Sequence, residues 1–132
     1  MIFIDSNIPM YVIGGEHPDK AHAITLLEDA LRADETMVTS TEVFQEILHR
    51  YTAIGRIDAI DPAFACLHNI VDHVLTYEMK EVDRALAIIN KLTSLSARDA
   101  LHIATMERAE IKQVMTFDNG FDRCPWVERF SG

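Results

Sequence analysis

Two periods organise the apolar positions of this chain. Ile2, Phe3 and Ile4 form a short β-type run that ends at Asp5, Ser6 and Asn7, with Pro9 close behind, which predicts a buried strand breaking into a turn and helix. After Gly14, Gly15 and the start signal at Pro18 the spacing becomes helical. Ala21, Ile24, Leu27 and Leu31, with Ala23, Leu26 and Ala30 interleaved, predict a core-facing helix. Met37, Val38 and Thr39 predict a second strand. Thr39 and Glu42 are spaced as a capping box, and Val43, Phe44, Ile47, Leu48, Tyr51 and Ile54 form a helical stripe that ends near Gly55. Pro62 opens another helix through Phe64, Leu67, Ile70 and Val71, and Val74 to Tyr77 is the third strand. Val82, Leu86, Ile89 and Leu92 mark a further helix, and Ala97, Ala100, Leu101, Ala104 and Ala109 mark the last, with a break at Ser94 to Ser96 between them. Val114 to Thr116 is a fourth strand, Asp118, Asn119 and Gly120 a turn, and Trp126, Val127 and Phe130 an edge strand. Alternating strands and helices predict an α/β domain with a mostly parallel sheet.

Composition narrows this picture. The chain has 132 residues, 48% hydrophobic and 25% charged, which suits one domain over 1–132 able to bury a core without a disulfide or zinc staple. Cys66 and Cys124 are isolated, with no metal-ligand or redox spacing. The N-terminal residues show no basic leader or cleavage signal, and no apolar run is long enough for a bilayer, so a soluble, cytoplasmic protein is expected. Lys and Arg total 12 against 21 Asp and Glu, a net charge of -9. That balance argues against a binder that holds nucleic acid through a broad Lys/Arg surface. It leaves two readings, an acidic solvated surface or acids concentrated in a pocket for divalent cations.

The positions of the acids bear on that choice. Asp5 closes the first strand, Asp118 lies just past the fourth, and Asp122 follows four residues later. Glu46 falls in the first two turns of the helix after strand two, and Asp99 in the first turn of the helix that starts near Ser96. In open parallel sheets the functional crevice lies outside the carboxyl ends of the strands, so these carboxylates are able to meet on one rim. Crowded like charges raise one another's pKa values, and a divalent cation relieves them. Mg²⁺ or Mn²⁺ prefers hard oxygen ligands, and the chemistry that follows is phosphodiester hydrolysis, with RNA bound through metal and phosphate.

Each residue also has a plainer reading. Asp5 suits an Asx-turn, and Asp99 suits the third helical position after a Ser96 cap. Glu46 is spaced for an exposed ion pair with Arg50, and Asp122 reads as a surface acid near Arg123. His102 is a proton shuttle or, more commonly at such a position, a packing residue, as are His49, His68 and His73. Met10, Met37, Met79, Met106 and Met115 read as core filler. Arg50, Arg56, Lys80, Arg84 and Arg98 are candidates for an RNA track or simply solvated cations.

Taken together, Phe3-Ile4-Asp5-Ser6-Asn7, Thr39-Ser40 with Glu46-Ile47-Leu48, Ser96-Ala97-Arg98-Asp99-Ala100-Leu101-His102-Ile103-Ala104 and Thr116-Phe117-Asp118-Asn119-Gly120-Phe121-Asp122 closely resemble the PIN domain. Within it, the VapC-type toxins of prokaryotic toxin-antitoxin pairs look most similar. The resemblance spans nearly the whole chain. It implies a three-layer α/β/α sandwich with a mostly parallel central sheet and a metal-dependent endoribonuclease site. Asp5, Glu46, Asp99 and Asp118 match the family's acidic metal-binding residues, Asp122 a supporting acid, and Asn7 and Thr116 polar positions that line or orient the pocket. The resemblance further implies an Mg²⁺ or Mn²⁺ cofactor, a homodimer, and an antitoxin protein whose C-terminal segment occupies the groove.

Rival functions fit less well. A phosphoaspartyl hydrolase needs a second Asp two residues after the first, where this chain has Asn7. A receiver-like phosphoacceptor needs a Lys after a later strand, and Lys112 precedes its strand instead. A structure-specific DNA nuclease of the flap type carries helical insertions for which the chain has no room. A PIN nuclease of RNA processing or quality control and a catalytically silent binding module complete the alternatives.

Overall fold

The computed structural model describes all 132 residues. In chain order it contains β1 (Ile2–Ile4), α1 (Asn7–Ile13), α2 (Pro18–Arg32), β2 (Met37–Ser40), α3 (Thr41–Ala53), a 3-10 turn (Ile57–Ala59), α4 (Ile60–Ile70), β3 (His73–Leu75), α5 (Met79–Lys91), α6 (Ala97–Arg108), β4 (Gln113–Met115), a second 3-10 turn (Asn119–Arg123) and β5 (Glu128–Arg129). The five strands form one sheet in the order β3-β2-β1-β4-β5, and every pairing is parallel. No helix is long and apolar enough to cross a membrane.

The strand order places the helices. From β1 to β2 to β3 the chain steps to one side, whereas from β3 to β4 it steps back across both strands. Right-handed crossovers therefore put α1 to α4 on one face and α5 with α6 on the other. The contacts agree, with α1 against α2 and α4, α3 against α4, and α5 against α6. The result is the α/β/α sandwich expected. Its direction reverses between β1 and β4, so a crevice opens there, beyond the carboxyl ends of those two strands.

The central strands are buried on both faces, which is why Ile2, Phe3 and Ile4 read as a continuous apolar run. Several side chains depart from the sequence expectation. In α2 the inward positions are Ala23, Leu26 and Ala30, while Leu31 is 66% exposed. In α5 the chain buries Ala85 and Ile88, leaving Met79, Val82 and Leu86 outside, so Met79 is not core filler. His49 and His73 are exposed rather than packed inside, while His68, also exposed, lays its ring against Phe44 at 4.6 Å. The capping box also fails. Thr39 stays in β2 and donates its hydroxyl to the Ile4 carbonyl at 2.9 Å. Ser40 caps α3 instead, accepting from the Val43 N–H, and the Glu42 carboxylate accepts from the Tyr77 hydroxyl at 3.1 Å.

Candidate active site

Four chain segments build the crevice. Asp5 leaves β1 in register with β4, its N–H donating to the Met115 carbonyl at 3.1 Å. Next to it, Thr116 leaves β4. The Thr116 hydroxyl donates to Asp5 Oδ2 at 2.7 Å and accepts from the Asn7 side-chain amide and from the Asp118 N–H, each at 3.0 Å. Its hydrogen-bonding capacity is therefore filled, and one hydroxyl ties the ends of β1, β4 and α1 together. Asn7 adds a second tie, accepting from the Phe117 N–H at 3.3 Å. Asn7 lines the acidic pocket, and Thr116 meets it through its bond to Asp5.

Glu46 enters from α3 and is 5% exposed. It does not pair with Arg50. Oε2 accepts from the Ser6 hydroxyl at 3.0 Å, Oε1 is hydrogen-bonded to His102 Nε2, and the Arg98 guanidinium stands 3.6 Å from Oε1. Asp99 comes from the first turn of α6, whose Ser96 cap accepts from the Asp99 N–H at 3.1 Å. Asp118 starts the second 3-10 turn and accepts from the Gly120 N–H at 2.8 Å. A Cβ on Gly120 would lie 2.9 Å from Asp99 Oδ2 and 3.0 Å from Asp118 Oδ1. Glycine there is what lets the two carboxylates close on that turn. Asp5, Glu46, Asp99 and Asp118 line one depression of about 460 Å³, with Ser6, Asn7, Arg50, Arg98 and Phe117 also on its walls.

The electrostatics follow from the crowding. Burial, with the charges of Asp118 and Asp5 added, pushes the Asp99 carboxyl up from 3.8 to about 6. Burial also raises the Asp5 carboxyl, Glu46 adding to the effect and His102 opposing it. Burial by itself would lower the His102 imidazole, but its bond to Glu46 and the nearby Asp5, Glu46 and Asp99 charges outweigh this and raise it. Asp5, Glu46 and His102 offer donor atoms within 4.8 Å of one another. An oxygen-dominated, electrostatically unsatisfied pocket of this kind fits a hard divalent cation.

Asp122 does not join the cluster. It is exposed, fixed by Arg129 through two bonds of 2.8 Å that hold its carboxyl below the usual range, and it lines the neighbouring depression. Among the basic candidates, Arg50 and Arg98 border the acidic pocket, whereas Arg56 pairs with Asp58 and Arg84 with Glu107. The sequence reading undervalued His102 and Ser6 as partners of Glu46. The signal was the Asp99 to His102 spacing of three, which puts both on one face of α6.

Fold and pocket together define an α/β protein with a carboxylate-lined crevice whose donor set fits a divalent cation. The PIN domain profile matches residues 2–127, and the chain belongs to that family. It is 50% identical over 131 residues to Ribonuclease VapC13 of Mycobacterium tuberculosis, covering 99% of this chain and 100% of that one. Ribonuclease VapC23 of the same species is 34% identical over 119 residues, 90% of this chain and 94% of its own. Among solved structures, the M. tuberculosis toxin VapC20, described as cleaving the sarcin-ricin loop, superposes with a TM-score of 0.78 at 21% identity, covering 97% of this chain and 98% of the other.

Proposed function

We propose that this protein is an endoribonuclease, the toxin of a toxin-antitoxin pair, which hydrolyses RNA phosphodiester bonds in the crevice between β1 and β4. The observation that carries this reading is the meeting of Asp5, Glu46, Asp99 and Asp118 in one pocket of a chain 50% identical to a named ribonuclease. Asp5, Glu46, Asp99 and Asp118 would hold Mg²⁺ or Mn²⁺. Such an ion, when bound, supplies a low-pKa water and neutralises charge on the phosphate.

The chain's own residues do the rest. The Thr116 hydroxyl and the Ser6 N–H occupy one oxygen each of Asp5 and fix its orientation. Ser6 and His102 fix Glu46 in the same way. Arg50 and Arg98 stand on the pocket wall, where they are available to the backbone phosphates of a bound RNA. A basic side chain from an antitoxin segment would find the same carboxylates, which is the chemistry by which a partner protein restrains the site. Met79, Val82 and Leu86 form an exposed apolar stripe along α5, 40–65% exposed, that supports assembly as a homodimer. Cytoplasmic localisation is part of the same proposal.

The test is cleavage of tRNA, rRNA and single-stranded RNA by purified protein in Mg²⁺, Mn²⁺ or EDTA, with Asp5→Asn as control. We expect cutting that needs metal and disappears in the variant. Cutting that survives Asp5→Asn would sink the site assignment.

A further inference from the structure

Beside the acidic pocket lies a second depression of about 530 Å³, within the size range of ligand clefts. Phe117 lines both, so its half-buried ring is the shared wall. It belongs to a run of rings drawn from separate parts of the chain. Tyr11 on α1 meets Phe117 edge-on at 5.3 Å, and His22 on α2 meets it at 5.2 Å and 61°. Tyr11 faces the acidic pocket and His22 the second depression. The loop carrying Phe117 is held to α1 by the bond from its N–H to Asn7, so the ring is fixed relative to Asp5.

Charge explains why such a wall would be used. With a net charge of -9, the protein gains little general attraction for a polyanion, and Arg50 and Arg98 are the cations on the pocket wall. Contacts that do not depend on charge then have a share of the affinity for single-stranded RNA to supply beside the metal, Arg50 and Arg98. Base stacking on aromatic rings is the principal one, and it works on unpaired nucleotides whose bases are free to splay out. Of the aromatic residues that line the acidic pocket, Tyr11, Tyr51 and Phe117, Phe117 alone also lines the second depression, so a base beside a scissile phosphate held among Asp5, Asp99 and Asp118 meets it on the way there.

We propose that Phe117, supported by Tyr11 and His22, is the stacking platform for a nucleobase adjoining the scissile phosphate, and that the second depression is its base subsite. This rests on the reading of the acidic pocket as the cleavage site. The paired Asp122 and Arg129 also line that depression and are its polar groups for the edge of the base.

The test uses a short single-stranded RNA whose cleavage position has been mapped, with abasic nucleotides placed singly on either side of the cut. For the wild-type enzyme one abasic position should lower kcat/KM by about tenfold or more, the range of one base-aromatic stack. Phe117→Leu, which keeps an apolar side chain of similar reach, should lose a comparable factor on intact RNA and lose nothing further on the abasic substrate. The loss in Phe117→Leu should be unchanged between low and moderate salt, because stacking releases no counterions. His22→Ala removes an exposed ring without touching the core and should raise KM more than it lowers kcat. Losses that simply add in Phe117→Leu, or abasic positions without effect, overturn the platform while Asp5→Asn still marks the cleavage site. Undiminished cutting by Asp5→Asn overturns both.

Discussion

Replacing Asp99 with asparagine should stabilise the metal-free protein. The Asp99 carboxyl is raised from 3.8 to about 6 by burial and by the charges of Asp118 and Asp5. Between those values the folded chain holds more protons than the unfolded one, so stability falls as pH rises through the window. Below it the penalty is absent, and above about pH 6 it is complete. A shift of about two units corresponds to about 3 kcal/mol. The carboxyl opens onto a water-filled pocket, and screening there reduces the recoverable part to about 1–2 kcal/mol. Asp99→Asn removes the charge and keeps the shape, so at pH 7.5 in EDTA it should melt about 3–8 °C above wild type. At pH 4 the difference should shrink to near zero. Added Mn²⁺ should reverse the order, since wild type gains about 2.7 kcal/mol at a hundredfold excess over its Kd and the variant gains less. Differential scanning calorimetry at the two pH values, with and without metal, reads all three. A variant no more stable than wild type at pH 7.5 in EDTA would refute the like-charge argument.

Further outcomes follow from single contacts. His102→Ala strips the buried Glu46 of a hydrogen-bond partner and leaves a cavity, and should cost about 2–4 kcal/mol in urea unfolding. Gly120→Ala places a methyl group against Asp99 and Asp118; cleavage should fall at least tenfold with a much smaller change in melting temperature, measured on the same preparation. Arg108 pairs with Glu81, which is 2% exposed, and also donates to the Thr76 carbonyl. Arg108→Ala should therefore cost about 3 kcal/mol by chemical denaturation, with Glu81→Gln in the same chain restoring part of it.

The fold was legible because its elements are marked locally. A continuous apolar triplet ending in Asp5, the Ser96 cap and the helical spacing of Val43, Phe44 and Ile47 each report their own stretch of backbone. The positions at strand ends made a common rim foreseeable, since a parallel sheet puts the carboxyl ends of its strands on one edge, whereas the adjacency of β1 and β4 comes from the strand order. Less legible was which face of an amphipathic helix is covered. In α5 the apolar stripe through Val82 and Leu86 points outward while Ala85 and Ile88 pack on α6, because the sheet and its neighbours choose the buried side.

Side-chain partners were the part that sequence could not supply. Thr39 and Glu42 have capping-box spacing, yet the strand runs one residue longer and hands the cap to Ser40. Glu46 is spaced for Arg50, yet the α3 axis turns it inward to residues 40 and 56 positions away, Ser6 and His102. Asp122 is four residues from Asp118, yet the turn between them directs it to Arg129. Periodicity and local caps are enough to order the strands and helices along the chain and to place acids at their ends, because each acts within a few residues. Which acids meet, which are held by other partners, and that Phe117 lines both the acidic pocket and a second one are set only when the chain packs, because they depend on distances between segments far apart in sequence.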